Sequence, residues 1–271
     1  MVKTAKAVAV GGVAACLLAL GDGAYGQQSG SGLRGLSLEE LGEIEVTATN
    51  RVPIRLARAP AAVYVITRED IRRSGATSLP EALRLAPGVH VAQLDSVKRS
   101  IGIRGFGSRL SRGVLVVIDG RNVYSPLFAG VFWEMQDTLI EDIDRIEVIR
   151  GPGATIWGPN AVNGVINVIT KRARETQGDL VAAGWGNVQR FLHFRHGGSK
   201  GERLHYRVYG KTFGGGPEFH RSGADFDTWV MGQSGIRADW ELRNGDSVTL
   251  QGDLYGGRMG ESLSVSPAVG V

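Results

Sequence analysis

The chain has 271 residues, 40 of them glycine, and a formal net charge of +4. This length accommodates one large or two small domains. The abundance of glycine without a three-residue period excludes collagen and indicates a domain rich in tight turns. Because the charge is small and both signs are interspersed, the composition gives no indication of nucleic-acid binding.

Residues 1–26 have the organisation of a secretory signal peptide. Lys3 and Lys6 precede an apolar run at 7–20, which is short for a membrane-spanning helix. Small residues stand at the two positions that signal peptidase reads, so we expect cleavage after Gly26. The mature protein is therefore predicted to be exported.

Cys16 is the only cysteine of the chain. With the three residues before it, Cys16 is similar to a lipoprotein cleavage box, but the apolar run continues past it, which favours cleavage after Gly26. The mature chain would then have no disulfide. No apolar run after residue 26 is long enough for a membrane helix, so we expect any membrane residence to be as a β-barrel.

Residues 27–49 predict a flexible N-terminal segment. Its first part is polar and rich in glycine and serine, as in a flexible linker. Residues 43–48 then read EIEVTA, and their β-branched side chains favour an extended conformation. From the residues alone, this hexamer is either an isolated edge strand or a segment that a partner binds by strand addition.

Two short helices are predicted after a strand at residues 61–67. Thr67 is the expected N-cap of the first helix, and Gly75 ends it. Ser78 and Glu81 have the spacing of a capping box, and the second helix is expected to continue to about Ala86. Its apolar face is typical of a small core helix.

Five further strands are expected before residue 171, at 89–91, 100–104, 114–118, 145–150 and 165–170. The run at 145–150 alternates between apolar and charged residues, which is the period of a half-buried strand. The runs at 114–118 and 165–170 are almost continuously apolar, which predicts buried strands, the second of them near the centre of a sheet.

The pattern changes after residue 171. Leu204 and Val208 alternate with Arg207 and Tyr209, and similar alternation recurs near residues 230–243 and 248–254 between glycine-rich turns. Apolar-out, polar-in strands of this kind are typical of an outer-membrane barrel. A soluble β-sandwich has strands that alternate in the same way.

No enzyme active site, metal site or cofactor site is predicted from the residues. His193 and His196 are three apart, but on a strand they point to opposite faces, so both are interpreted as surface histidines. Glu141, Asp142 and Asp144 are interpreted as a solvated acidic turn.

The sequence RIEVIRGPGATIWGPNAVNGVINVITK, at residues 145–171, closely resembles the end of the plug domain of TonB-dependent outer-membrane receptors. Other stretches from residue 43 onward follow the order of that domain. The resemblance implies an α+β plug domain, with a small mixed sheet and short helices. Antiparallel β-strands of an incomplete outer-membrane β-barrel follow it. The expected boundaries are a signal peptide at 1–26, the flexible segment at 27–49, the plug at 50–172 and barrel strands at 177–271.

This family takes up a scarce ligand, such as a ferric siderophore or cobalamin, across the outer membrane. The resemblance implies a TonB box at Glu43, Ile44, Glu45, Val46, Thr47 and Ala48, which the TonB protein of the inner-membrane energising complex would capture. The expected partners are TonB, a small-molecule ligand and outer-membrane lipid, with no nucleic acid and no cofactor. The alternative is a secreted periplasmic binding or regulatory module without transport activity.

The residues after 176 are enough for about five to seven strands, below the minimum of about 8 for a barrel. We therefore expect a fragment or truncated product. The resemblance also implies a set of ligand-contacting residues in three apical loops, namely Gln93, Arg99, Phe106, Arg109, Arg112, Tyr124, Phe128 and Trp133. It further implies that Arg104 and Arg150 hold the plug by pairing with acidic residues on the inner wall of the barrel.

Overall fold

The computed structural model describes residues 45–47, 54–127, 129–186, 188–219 and 226–260. The predicted signal peptide lies outside the described residues. So do Glu43, Ile44, Ala48 and Phe128 among the predicted functional residues.

The N-terminal part of the described chain is an α+β domain, as the resemblance implied. It has nine short strands, and those at 54–55 and 121–122 were not predicted from the sequence. The strands are β1 (Glu45–Val46), β2 (Ile54–Arg55), β3 (Val63–Thr67), β4 (Val89–Gln93), β5 (Arg99–Ile103), β6 (Val114–Ile118), β7 (Arg121–Asn122), β8 (Ile143–Arg150) and β9 (Gly164–Thr170). The helices are α1 (Arg68–Ser74), α2 (Leu79–Leu83) and α3 (Ala154–Trp157), and 3-10 turns lie at Leu56–Arg58, Ile140–Asp142 and Ala173–Thr176.

The main sheet of this domain has the strand order β3-β8-β9-β6-β7. Strands β6 and β9 are parallel, and the other neighbours are antiparallel. Strand β9 is therefore central, as its almost continuous apolar run predicted. One face of the sheet packs through Ile146 and Ile166 against Leu79 and Leu83 of α2, and this is the main core.

Helices α1 and α2 differ in how well the sequence predicted their ends. Thr67 caps α1 in a complete capping box, and Gly75 ends it at a φ of 70°. The predicted box at α2 is wrong, because the Glu81 carboxylate accepts from the N–H and hydroxyl of Thr77 instead. Helix α2 ends at Leu83 rather than Ala86, since the approaching proline disfavours helical backbone before it.

The C-terminal part of the described chain is one antiparallel sheet with the order β10-β11-β12-β13-β14. Its strands are β10 (Gly178–Trp185), β11 (Gln189–Lys200), β12 (Leu204–Gly215), β13 (Trp229–Glu241) and β14 (Ser247–Met259). The predicted alternation is present. Leu192 and Phe194 are about half exposed on one face of β11, whereas His193 and Arg195 are buried on the other. His193 and His196 lie on opposite faces, as predicted.

Within the described part of the chain, every helix is too short or too polar to cross a membrane.

Candidate functional site

The buried face of the five-stranded sheet is basic. Arg195 on β11, Arg207 and Lys211 on β12, and Arg237 on β13 lie on this face, and Arg207 stands directly opposite Arg237 in the strand register. Like charges in such a pair repel one another. One compensating anion, Asp239, lies on β13 itself, 3.1 Å from Arg237, and the α+β domain supplies others.

Asp142 is the most buried of these anions, with 1% of its side chain exposed. It ends the 3-10 turn before β8. Its Oδ1 accepts a hydrogen bond from Arg195 Nη1 at 2.5 Å, and its Oδ2 lies 3.5 Å from Arg207 Nε. One carboxylate thus stands between two guanidinium groups of adjacent strands.

Asp119 provides a second anionic contact at the end of β6. Its backbone has a φ of 48°, in the left-handed region that aspartate tolerates in turns. Its carboxylate accepts from the N–H and hydroxyl of Thr170 at 2.8 and 2.7 Å, and one oxygen lies 3.5 Å from Arg237. The Thr170 hydroxyl in turn accepts from Arg207 and Arg237 at 2.8 and 3.0 Å, so the two networks are joined.

Two further contacts extend this interface between the α+β domain and the five-stranded sheet, which we call the junction. The Lys211 ammonium donates to Asp137 at 2.6 Å and to the Thr138 carbonyl at 2.9 Å. The His193 ring lies 3.4 Å from a Glu141 carboxylate oxygen. Burial has the largest single effect and raises the pKa of Glu141. The contact with His193, a backbone hydrogen bond and the charge of Lys211 together outweigh it, so the pKa of Glu141 lies below the ordinary value.

Two sequence interpretations are wrong at this junction. Asp142 is not part of a solvated turn, and His193 is not a surface residue, since it is only 2% exposed. The reason is that the five-stranded sheet covers Asp142, whereas the α+β domain covers His193. The sequence could have indicated that these side chains face inward. The residues at 193, 195, 207, 211 and 237 all occupy the polar set of alternating positions in their strands.

Arg104 and Arg150, the predicted holding residues, come together at one corner of the α+β domain. Arg104 is exposed and has a φ of 59°, while Arg150 donates to the Pro87 carbonyl at 3.4 Å. The Arg104 guanidinium approaches Gly151 so closely that a Cβ there would lie 3.7 Å from its Nη2. Among the described residues no carboxylate pairs with either arginine, and their pairing with a barrel wall stays a prediction.

We predict that Arg104→Ala combined with Arg150→Ala changes this chain little. Amide hydrogen exchange across β5 and β8 should stay close to that of the parent, because neither guanidinium has a carboxylate partner to lose among the described residues. The same two changes should raise exchange when the domain sits in a receptor with a closed barrel. Equal effects in both proteins would show that the arginines act within the α+β domain.

A cavity of about 120 Å³ lies between the α+β domain and the strands. Gln93, Arg99 and Trp133 from the predicted loops line it, together with Lys211 and Phe213 from β12. Trp133 also belongs to the main core, with 4% exposure. Burial lowers the pKa of Arg99, although a guanidinium stays charged at any working pH.

The loop at residues 106–112 lies beside this cavity. Arg109 pairs with Glu134 at 3.4 Å, and Glu134 is itself a lining residue. A Cβ on Gly130 would meet Leu110, so the loop at 122–133 packs directly on this neighbour. Phe106 and Arg112 are exposed, and Tyr124 is half-buried. The structure thus brings the three predicted loops together, and their contact with ligand remains a prediction.

The described part of the predicted box is folded onto the same domain. Glu45 and Val46 form β1, which pairs antiparallel with β2. Val46 is fully buried, and the next residue, Thr47, bonds to Glu147 of β8. Residues 45–46 of the predicted box are therefore already strand-paired in the absence of a partner.

The α+β domain combines a small mixed sheet with short helices and a glycine- and proline-rich connection from β8 to β9. The family model described as "TonB-dependent Receptor Plug Domain" matches residues 55–165, which lie in this domain. This chain carries a TonB-dependent receptor plug domain. TonB-dependent receptors reside in the outer membrane, and the antiparallel strands that follow this plug match part of their barrels.

Curated relatives extend the match beyond the plug. The ferric enterobactin receptor of Pseudomonas aeruginosa is 34% identical over 289 aligned residues, which cover 90% of this chain and 37% of that protein. The vitamin B12 transporter BtuB of Vibrio vulnificus is 35% identical over 144 residues, covering 52% of this chain and 23% of that protein. The chain thus spans well under half the length of these relatives, which are receptors and transporters.

Solved structures show the same fold. The siderophore receptor PirA of Pseudomonas aeruginosa has a TM-score of 0.54 at 27% identity and covers 74% of this chain and 35% of its own. The pyoverdine outer membrane receptor FpvA of Pseudomonas aeruginosa, bound to pyoverdine, has a TM-score of 0.62 at 17% identity. It covers 80% of this chain and 31% of its own, and this likeness concerns the fold alone.

Proposed function

We propose that this chain supplies the plug and the first barrel strands of an outer-membrane receptor that takes up a metal chelate or cobalamin. The observation that carries the proposal is the junction itself. An acidic plug face, at Asp119, Asp137 and Asp142, packs on the basic inner face of strands whose other face is apolar. That is the arrangement expected of a domain that fills a membrane barrel. The role is transport rather than catalysis.

Energy for uptake would come from the TonB protein. An extended segment at the N-terminal edge of the plug can add to a partner's sheet through its main-chain hydrogen bonds. Residues 43–48 have the β-branched composition for this, and the described residues 45–46 already adopt strand geometry. Ligand and TonB would be coupled only if the bound ligand changes the free energy of exposing this segment.

Ligand would be bound by the loops at 93–99, 106–112 and 122–133. The ferric enterobactin receptor and BtuB recognise large chelates, and a 120 Å³ cavity is too small for such a molecule. The cavity would therefore take only part of the ligand, while exposed loop residues such as Phe106 and Arg112 contact the remainder.

The proposal is tested by uptake in a chimera. Residues 27–172, which include the whole predicted TonB box, replace the corresponding N-terminal segment and plug of the Pseudomonas aeruginosa ferric enterobactin receptor, in cells lacking their own catecholate and cobalamin receptors. We expect uptake of ferric enterobactin or cobalamin that disappears when TonB is deleted. Absence of uptake of both, from a chimera that reaches the outer membrane and shows heat-modifiable migration, would contradict transport and favour the periplasmic module.

In this chimera, Arg109→Ala with Arg112→Ala should weaken binding of an anionic ferric siderophore by about tenfold, because charge-assisted hydrogen bonds to the ligand are lost. The matched control is Arg72→Ala with Arg73→Ala, which removes two exposed arginines from α1. Dissociation constants from fluorescence quenching provide the measurement. If both pairs change the dissociation constant equally, the loop at 106–112 does not contact the ligand.

A further inference from the structure

Glu147 is a fully buried carboxylate on the sheet face opposite the main core. Its neighbours Ile146 and Val148 point into that core, whereas Ile149 packs with Val165 on the face that Glu147 shares. In the register of β8 and β9, Glu147 stands directly opposite Asn167. A buried charge is costly unless hydrogen-bond donors surround it, so the donors of Glu147 identify its role.

Two donors belong to the sheet itself. Arg145 Nε donates to Glu147 at 2.9 Å, and Asn167 Nδ2 donates at 3.2 Å. Further donors come from Thr47, 100 residues earlier in the chain. Its backbone N–H lies 3.0 and 3.2 Å from the two carboxylate oxygens, and its hydroxyl donates at 3.2 Å.

Asn167 connects the arrangement, because its amide also donates to the Thr47 hydroxyl at 3.2 Å. Thr47 directly follows the buried Val46, so these bonds fix the end of β1 on the sheet. The Thr47 N–H is a main-chain donor that a partner strand would need in order to pair with this segment. While Glu147 accepts from it, that donor is occupied.

When residues 45–47 are released, the Glu147 carboxylate still has hydrogen-bond donors. Arg145 and Asn167 remain on their strands as donors. An open cavity of about 750 Å³ borders both Glu45 and Thr47, and its lining also includes Arg145 and Asn167. Water from this cavity can replace the two Thr47 donors. The docked and released states therefore both keep the carboxylate hydrogen-bonded, as a reversible device requires.

We propose that Glu147 anchors residues 45–47 on the plug sheet and that breaking its bonds to Thr47 controls when this segment becomes available to a strand-adding partner. The availability to TonB rests on the proposed function. The anchoring itself concerns only contacts within this chain.

The test measures release directly in the 271-residue chain. Val46→Cys places a thiol at a fully buried position, in a Cys16→Ser background, and its rate of reaction with a charged maleimide reports exposure of the segment. Glu147→Gln keeps the shape of the side chain but removes its charge and one acceptor oxygen. We expect it to raise the reaction rate by about tenfold, because charge-assisted hydrogen bonds are among the strongest.

Thr47→Val is the second variant, and it leaves the plug core untouched. It removes the hydroxyl but keeps the N–H, so the expected increase is smaller, about threefold. Glu69→Gln is the matched control, the same chemical change on the surface of α1, and should leave the rate unchanged. If Glu147→Gln does not fold, Thr47→Val decides the question.

The proposal is overturned if a folded Glu147→Gln and Thr47→Val both react at the parent rate, or if Glu69→Gln accelerates the reaction as much. Neither TonB nor ligand is present in this measurement. A failure of anchoring is thus distinguishable from a failure of uptake, which is measured in the chimera.

Discussion

Asp142→Asn should loosen the junction between plug and strands by about 3–5 kcal/mol, since breaking a buried ion pair strands the remaining charge. Two guanidinium groups, those of Arg195 and Arg207, would lose the carboxylate between them. Both arginines are less than a tenth exposed, so water cannot readily take its place. Hydrogen exchange of the purified chain in detergent should rise along β8 and in β11 and β12.

Asp144→Asn is the matched control for this prediction. Asp144 is two residues further along the chain, on β8, and pairs with Arg145 at 2.8 Å, but 38% of its side chain is exposed. Exposed pairs contribute at most about 1 kcal/mol. Similar small changes for the two variants would mean that Asp142 is solvated and that other contacts hold the plug to the strands.

Val46→Pro should abolish TonB-dependent uptake by the chimera while leaving ligand binding intact. Proline removes the main-chain N–H of residue 46 and fixes its φ, so the segment can no longer add to a partner's sheet with full hydrogen bonding. The loops at 93–99, 106–112 and 122–133 are separate in sequence from this position. Uptake of the ferric siderophore and its equilibrium binding are measured on the same cells.

Val46→Ile is the control, because it keeps the N–H and the β-branched shape. It should transport at close to the parent rate. Proline also disturbs the pairing of Val46 with Ile54 in β2, so release of the docked segment accompanies the change. Glu147→Gln separates the two effects, since it releases the segment without removing a donor. Uptake that survives Val46→Pro would exclude residues 43–48 as the TonB box.

The sequence by itself determined the elements and the faces of this protein. A period of two residues places Arg207 and Val208 on opposite sides of β12, and a run that is apolar except for Asn167 predicts that β9 is covered on both faces. Capping chemistry located α1, whose ends depend only on residues within one helical turn of each other. The plug was recognisable because its long connecting stretch at 145–171 has a distinctive sequence.

Only the tertiary structure decided which residues meet across the junction. Asp142 bonds to Arg195, 53 residues away, and Glu147 bonds to Thr47, 100 residues away. The periodicity of a strand indicates which side chains point inward. It does not indicate how the plug sheet is positioned on the five-stranded sheet. The family resemblance implied arginines on the plug and acids on the strands, a pairing that stays a prediction for Arg104 and Arg150. The ion pairs described between them have the opposite polarity, with plug carboxylates meeting strand cations. Desolvation makes that pairing obligatory, because buried charges on one surface need partners on the other.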